Sequence, residues 1–149
     1  MDINELLASF AGRHGIENLA VEDGSTALEV DGMAVAIAAD GDSLVLSVEV
    51  GLPPAEGHAA FADLLLEANL RSDAVFAKDQ ESGTYVILRR LETSALDDEA
   101  FDAALEALVN MAETWRRLLD DFRPAAKEAE ESAGGTADLP FGAGGFIQV

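Results

Sequence analysis

The stretch "FADLLLEANL", from Phe61 to Leu70, is built from helix-forming residues and carries more apolar surface than one helix face can hold. Successive positions of an α-helix advance by about 100°. One face then contains Phe61, Leu64, Leu65 and Ala68. A second face beside it contains Ala62, Leu66 and Leu70. Since a surface helix normally has one apolar stripe, the pattern predicts either burial in the middle of a domain or contact with a second chain.

The composition indicates one globular domain without disulfides. The chain has 149 residues, 49% of them hydrophobic, and no cysteine, which excludes thiolate metal sites and cysteine nucleophiles. No apolar run approaches the roughly 20 residues of a membrane helix, so no membrane insertion is predicted. The N-terminal stretch "MDINELLASF" has acidic residues where a signal peptide carries positive charge, which predicts a cytoplasmic location.

The charge balance is strongly acidic. There are 29 Asp and Glu residues against 9 Lys and Arg residues, a formal net charge of -20. Phosphate backbones and anionic membrane surfaces repel such a protein, so nucleic-acid binding is not expected. The expected partners are neutral, apolar or basic.

Upstream of this stretch, a short helix beginning after Asp2 precedes a three-strand meander. Alternating segments at Ala27–Val30, Met33–Ala39 and Ser43–Val50 are separated by two Asp-Gly pairs. Asp-Gly favours tight hairpin turns because glycine accepts a positive φ.

Downstream, the pattern predicts a second hairpin and a long helix. The hairpin strands are Ala74–Lys78 and Thr84–Arg90, and the helix runs from near Asp97 to just before Pro124. The predicted fold is α+β in the order α-β-β-β-α-β-β-α, a twisted antiparallel sheet packed against helices in a dimeric protein. Residues 1–123 would form the domain, and residues 124–149 a flexible linker with an apolar tail.

No catalytic or metal-binding constellation is visible. The two histidines, His14 and His58, lie outside any zinc-binding motif. Asp40 and Asp42 resemble the start of an EF-hand loop, but Gly51 stands where the bidentate glutamate belongs. We therefore predict no cofactor, no metal and no enzymatic activity. An acid-based hydrolase would need two carboxylates of contrasting pKa, and no such pair can be named.

Two segments together resemble the CesT-like class I type III secretion chaperones. They are "FADLLLEANL" and "TYVILRRLETSALDDEAFDAALEALVNMAETWRRLL", and the resemblance covers roughly Met1 to Phe122. Its most specific parts are the Leu-Leu-x-x-Asn signature at 65–69 and the helix pattern at 96–115. The tail after residue 123 is longer than in minimal members of that family.

The resemblance implies a homodimer that binds the N-terminal non-globular segment of one or a few secreted effector proteins, keeping it soluble and export-competent. Contacts with components of the secretion apparatus are a further implication. A dimeric protein-interaction adaptor of the same fold, with no secretion role, is the alternative.

The resemblance also implies sites. Effector-binding residues would be Leu7, Phe10, Leu28, Val30, Val35, Ile37, Leu44 and Leu46. The dimer interface would contain Ala62, Leu66, Leu70, Phe76 and Tyr85, although the two faces of the central helix could be exchanged. The tail is a separate hypothesis that the resemblance does not imply: Phe146, Ile147 and Val149 would either dock into the empty effector groove or be recognised by the export machinery.

Overall fold

The computed structural model describes residues 2–17, 19 and 23–123, and these contain three helices and one five-stranded sheet. The elements are α1 (Ile3–His14), β1 (Ser25–Val30), β2 (Met33–Asp40), β3 (Ser43–Gly51), α2 (His58–Asn69), β4 (Val75–Lys78), β5 (Tyr85–Glu92), a 3₁₀ turn (Thr93–Ala95) and α3 (Asp98–Asp121). The predicted α+β order is confirmed. Helix α2 begins after Gly57, which has a φ of 75°.

The sheet has the strand order β1-β2-β3-β5-β4, with every pair antiparallel. One row of directly opposed residues crosses all five strands and is buried on the helix side of the sheet: Leu28, Val35, Val48, Ile87 and Phe76. Because side chains alternate along a strand, the adjacent row points to the other face. It consists of Ala27, Ala36, Ser47, Leu88 and Val75, none of which is fully buried.

The two hairpin turns of the meander differ from each other. Asp31 and Gly32 both have positive φ, 52° and 81°, as a type I′ turn requires. In the second turn Asp40 still pairs with Ser43, so Gly41 and Asp42 are the central residues. Gly41 has φ 61°, which places glycine first, as in a type II′ turn. The predicted Asp-Gly turn is therefore shifted by one residue here.

Helix α3 lies over β3 and β5 and buries a single apolar stripe. Its start is capped by the Asp97 carboxylate, which accepts a hydrogen bond from the Ala100 N–H at 2.8 Å. Phe101 is completely buried on this stripe. Toward the end of the helix, Trp115 packs edge-to-face on Phe61 of α2, with ring centroids 5.9 Å apart. These contacts join α2 and α3 into one layer over the sheet.

A β-bulge between Glu49 and Gly51 shifts the register of β3 against β5 before the last pair, and α3 approaches β3 closely at this point. The Arg116 guanidinium donates two hydrogen bonds to the Glu49 carbonyl, at 3.0 and 2.7 Å. Gly51 has φ 148°, and a Cβ at this position would lie 2.9 Å from Leu119 Cδ2. The backbone conformation therefore favours glycine here, and an added Cβ would also displace the end of the Leu119 side chain.

Several predictions concern residues outside the described part of the chain. The linker and tail from 124 to 149, including Phe146, Ile147 and Val149, belong to this group. Within residues 2–17, 19 and 23–123, no helix is long and apolar enough to cross a membrane. The same residues contain no group of three His, Asp or Glu side chains that could hold a metal ion.

Candidate functional site

An open cavity of about 490 Å³ lies between the end of α1, the β1–β2 turn and the first half of α3. We call it the α1–α3 cavity. Its apolar lining consists of Phe10, Ile16, Val30 and Leu105. Its polar lining consists of His14, Glu29, Asp31, Asp102 and Glu106. This size is within the range of sites that bind small molecules or peptide side chains.

The C-terminus of α1 directs Ile16 toward this cavity. Gly15 adopts φ 68° and closes the helix, and the following Ile16 N–H donates to the Ala11 carbonyl at 2.9 Å. This left-handed cap turns the chain sharply, so that Ile16 packs against the core beside Phe10. The His14 ring stacks on Phe10 with centroids 4.3 Å apart. Helical spacing in the sequence did not indicate a role for Ile16, because this residue follows the helix.

A polar network connects α1 to α3 at one side of the cavity. Arg13 forms ion pairs with Asp98, at 2.9 Å, and with Asp102. The Ser9 hydroxyl donates a hydrogen bond to Asp98 Oδ2 at 2.8 Å. That hydrogen bond, together with the Arg13 charge, lowers the pKa of the Asp98 carboxyl. The acidic start of α3 is thus used to hold α1 in place.

The residues that the resemblance assigned to effector binding lie mostly inside the protomer. Seven of them are buried: Leu7, Phe10, Leu28, Val35, Ile37, Leu44 and Leu46. Val30 is half-buried. The period-two pattern of the strands and the apolar spacing of α1 direct them into the core between the sheet and the helices. Only Phe10 and Val30 line the α1–α3 cavity, where a bound segment could reach them.

The outer face of α2 carries an exposed apolar stripe, which we call the α2 stripe: Ala62, Leu66 and Leu70. Leu66 is 63% exposed and Leu70 is 87% exposed, whereas Phe61 is completely buried on the opposite side of the helix. Leu64, expected on the inner face, is 45% exposed because it lies at the edge of that face. The two-faced helix therefore has one face in the core and one face open.

Phe76 and Tyr85, which were expected at the dimer interface, are buried by the protomer itself. The Phe76 ring packs on Trp115 with centroids 4.9 Å apart, and the Tyr85 ring stacks on Phe61 at 5.8 Å. Burial also raises the pKa of the Tyr85 hydroxyl. Both residues point to the helix side of the sheet, and their placement leaves little surface for a second chain.

Asn69, the last residue of the Leu-Leu-x-x-Asn signature, bonds the backbone of β4. Its Oδ1 accepts a hydrogen bond from the Phe76 N–H at 2.7 Å, and its Nδ2 donates to the Phe76 carbonyl at 3.2 Å. Strand β4 is an edge strand, and an edge strand presents backbone groups that a further strand could use. At Phe76, Asn69 already binds both the backbone N–H and the carbonyl, so an added strand could not use these two groups. Among the described residues, the outer edge of β1 has no paired strand.

The remaining acidic and histidine side chains have structural or surface positions. Asp40 pairs with Arg90 at 2.9 Å, and Asp97 caps α3. His14 Nε2 lies 3.7 Å from Asp102 Oδ2. His58 is exposed at the first position of α2. None of these groups is arranged with a second group in a catalytic geometry.

The described residues thus form a five-stranded antiparallel sheet covered by one helix layer, with an exposed apolar stripe on α2. Comparison with known proteins identifies the family. The sequence profile of the Tir chaperone protein (CesT) family matches residues 5–116. The chain therefore belongs to the CesT family, and the predicted function as a type III secretion chaperone is confirmed.

One relative is similar over most of its length. The "transcriptional anti-antiactivator ExsC" of Pseudomonas aeruginosa is 32% identical over 123 residues, which cover 78% of this chain and 85% of that protein. The solved ExsC–ExsE complex contains a chain with a TM-score of 0.70 and 29% identity, covering 80% of this chain and 97% of that one.

A second solved structure shares the fold. The Yersinia pestis type III secretion chaperone SycH, in complex with a fragment of YscM2, has a TM-score of 0.62 and 24% identity. The match covers 75% of this chain and 98% of that chain. The shared region is thus almost the whole of the neighbouring chaperone.

Proposed function

We propose that this protein acts in the cytoplasm as a homodimeric, non-enzymatic chaperone that binds the N-terminal non-globular segment of a secreted effector protein. We propose further that, like its relative ExsC, it opposes a transcriptional antiactivator. The observation that carries both proposals is the similarity to ExsC, which extends over most of both chains in sequence and in structure.

The unpaired edge of β1 and the α1–α3 cavity form the proposed effector site. An added strand gains main-chain hydrogen bonds whatever its sequence, and pockets for alternate side chains supply selectivity. Glu29 and Val30 are the last residues of β1 and also line the cavity. A segment that pairs with the free edge of β1 as an added strand would therefore reach a cavity able to accept an apolar side chain. This arrangement supports binding of an extended chain rather than a folded surface.

The α2 stripe supports the homodimer. Isolated apolar side chains are common on protein surfaces, but Ala62, Leu66 and Leu70 follow one another at four-residue intervals on one helix face. A twofold axis would pack this stripe against its own copy, since a twofold interface joins identical surfaces. Secretion-apparatus components are further proposed partners, and the acidic net charge argues against nucleic acid.

The first experiment is purification of the tagged protein from the cytosol of its own cells, with mass spectrometry of the retained proteins. Limited proteolysis of each complex then maps the protected region. A secreted protein protected only in its N-terminal segment is the expected result, together with a transcriptional regulator in a separate complex. Retention of folded proteins with no secreted partner would favour an adaptor with no secretion role.

The dimer is tested by Leu66→Glu. Placing an unpaired carboxylate at an apolar interface costs several kcal/mol, so we expect monomers in light scattering. Leu52→Glu is the matched control, because Leu52 is 65% exposed outside the α2 stripe. A Leu66→Glu protein that stays dimeric would show that another surface joins the protomers.

The tail docking of Phe146, Ile147 and Val149 remains a prediction. Truncation at Pro124 removes these residues while it leaves α3 complete. If the tail competes for the effector groove, truncation should increase effector affinity. Unchanged affinity and unchanged export would remove the basis for this role.

A further inference from the structure

The rim of the α1–α3 cavity carries negative charges without counter-charges. Glu29, Asp31 and Glu106 line the cavity, and all three are exposed. None of them forms an ion pair with any described residue. Of the apolar lining residues, Phe10 and Leu105 are buried. The site thus combines an apolar recess with an unbalanced acidic rim.

Among the described residues, no arginine or lysine forms an ion pair with this rim. Arg13, at the end of α1, already pairs with Asp98 and Asp102 on the other side of the cavity. The other described arginines contact acidic groups or backbone carbonyls elsewhere on the molecule. The described arginines and lysines thus leave Glu29, Asp31 and Glu106 unpaired, and a bound molecule can supply the positive charge.

We propose that the α1–α3 cavity selects its ligand by a Lys or Arg placed directly beside the apolar side chain that enters the recess. This inference rests on the proposed function and specifies the chemistry of the bound segment. An apolar side chain gains by leaving water. A neighbouring amine or guanidinium gains by contact with carboxylates that remain hydrated and pay no burial cost. The occupant is an extended basic-apolar peptide segment of the secreted partner.

The position of the rim supports an extended occupant. Glu29 is the second-last residue of β1 and Asp31 follows the last, so both stand where a strand added to the free edge of β1 would pass. Glu106 faces them from α3 across the cavity. Neighbouring residues of such a strand point in opposite directions. The side chain of one residue could enter the apolar recess while the side chain of the next residue reaches the acidic rim.

The test uses synthetic peptides as probes. Two of them share an alternating Val and Leu core and differ in the flanking residues, which are lysine in one peptide and glutamate in the other. A third peptide keeps the lysines but replaces the core by serine. Fluorescence anisotropy with the full chain measures each affinity. We expect only the lysine-flanked apolar peptide to bind, and raised salt to weaken it.

Variants of the rim separate local recognition from general attraction to a protein of net charge -20. Exposed ion pairs change affinity by about two- to fivefold each, so Glu29→Gln with Glu106→Gln should lower it by about four- to twenty-five-fold. Asp42→Asn with Glu81→Gln is the control, since it removes the same charge from exposed turns and should leave affinity within about twofold. Glu29→Lys with Glu106→Lys should reverse the preference toward the glutamate-flanked peptide.

The inference is overturned if the rim variant and the control variant bind the lysine-flanked peptide equally, or if the wild-type chain does not prefer that peptide. The proposed function has a separate readout. If the wild type, the Glu29→Gln/Glu106→Gln variant and the control variant all retain a secreted protein equally, the proposed selection of a basic-apolar segment is refuted. The proposed chaperone function is not affected by that result. A wild-type protein that retains no secreted protein would refute the proposed function itself.

Discussion

Asn69→Ala should destabilise the domain measurably, although it removes no apolar contact from the core. The Asn69 carboxamide makes two hydrogen bonds to the Phe76 backbone, at 2.7 and 3.2 Å. Strand β4 has only four residues and, among the described strands, pairs with β5 alone. In an antiparallel pair a residue directs both its N–H and its carbonyl either to the partner strand or away from it. At Phe76 both groups meet Asn69.

The expected loss follows from these two bonds. A net contribution of about 1 kcal/mol for each intramolecular hydrogen bond gives a decrease of about 2 kcal/mol in the free energy of unfolding. Water can reach part of this edge, which keeps the loss below the cost of fully buried orphan groups. Asn69→Asp retains the acceptor oxygen but places a carboxylate against the Phe76 carbonyl. It should therefore be no more stable than Asn69→Ala at neutral pH.

Guanidinium chloride unfolding, followed by tryptophan fluorescence, measures this loss. The chain has a single tryptophan, Trp115, whose ring packs on Phe76. The emission therefore reports the region that is perturbed. Proteins must be compared at equal concentration, because dimer formation adds to apparent stability. Asn110→Ala, at an exposed position of α3, is the control and should be neutral or slightly stabilising.

A decrease smaller than about 0.5 kcal/mol for Asn69→Ala, or one equal to that of the Asn110 control, would refute this reasoning. It would mean that β4 is held by its pairing with β5 and by the packing of Phe76 alone. The Leu-Leu-x-x-Asn signature would then need a different explanation from an edge-strand bond.

Two further predictions concern the bulge and the start of α3. Gly51→Ala should lower the free energy of unfolding by about 2 kcal/mol or more, because φ is 148° and the new Cβ would lie 2.9 Å from Leu119. The control is Gly12→Ala, in α1 with open space around it, which should instead stabilise the protein by about 0.5–1 kcal/mol. Equal effects of the two substitutions would contradict the strain argument. Ser9→Ala should lower stability near neutral pH, because the pKa of Asp98 is lower in the folded state than in the unfolded state. A carboxyl whose pKa is lowered in the folded state stabilises the protein at pH values above its unfolded-state pKa of about 3.9, and this stability is lost as the pH falls through the folded-state pKa. The stabilities of wild type and variant should therefore converge in acid. A stability difference that is independent of pH would exclude this cause.

The sequence by itself determined the order of the elements and most of their boundaries. Local signals were sufficient there: period-two segments divided by glycine turns, a capped α3 with a single apolar stripe, and the family signature at Leu65–Asn69. These signals act over a few residues, so they can be read from the chain directly. The shifted turn at Gly41 shows their limit, because one residue of register depends on the pairing of two strands.

The tertiary structure alone decided which apolar residues are available to a partner. Leu46 and Leu66 are equally apolar in the sequence, yet Leu46 is completely buried and Leu66 is 63% exposed. The α1–α3 cavity joins Ile16, Glu29 and Glu106 from three separate segments, and no spacing rule connects them. Burial and proximity are properties of packed elements, since each helix face is covered or left open by residues distant in the chain.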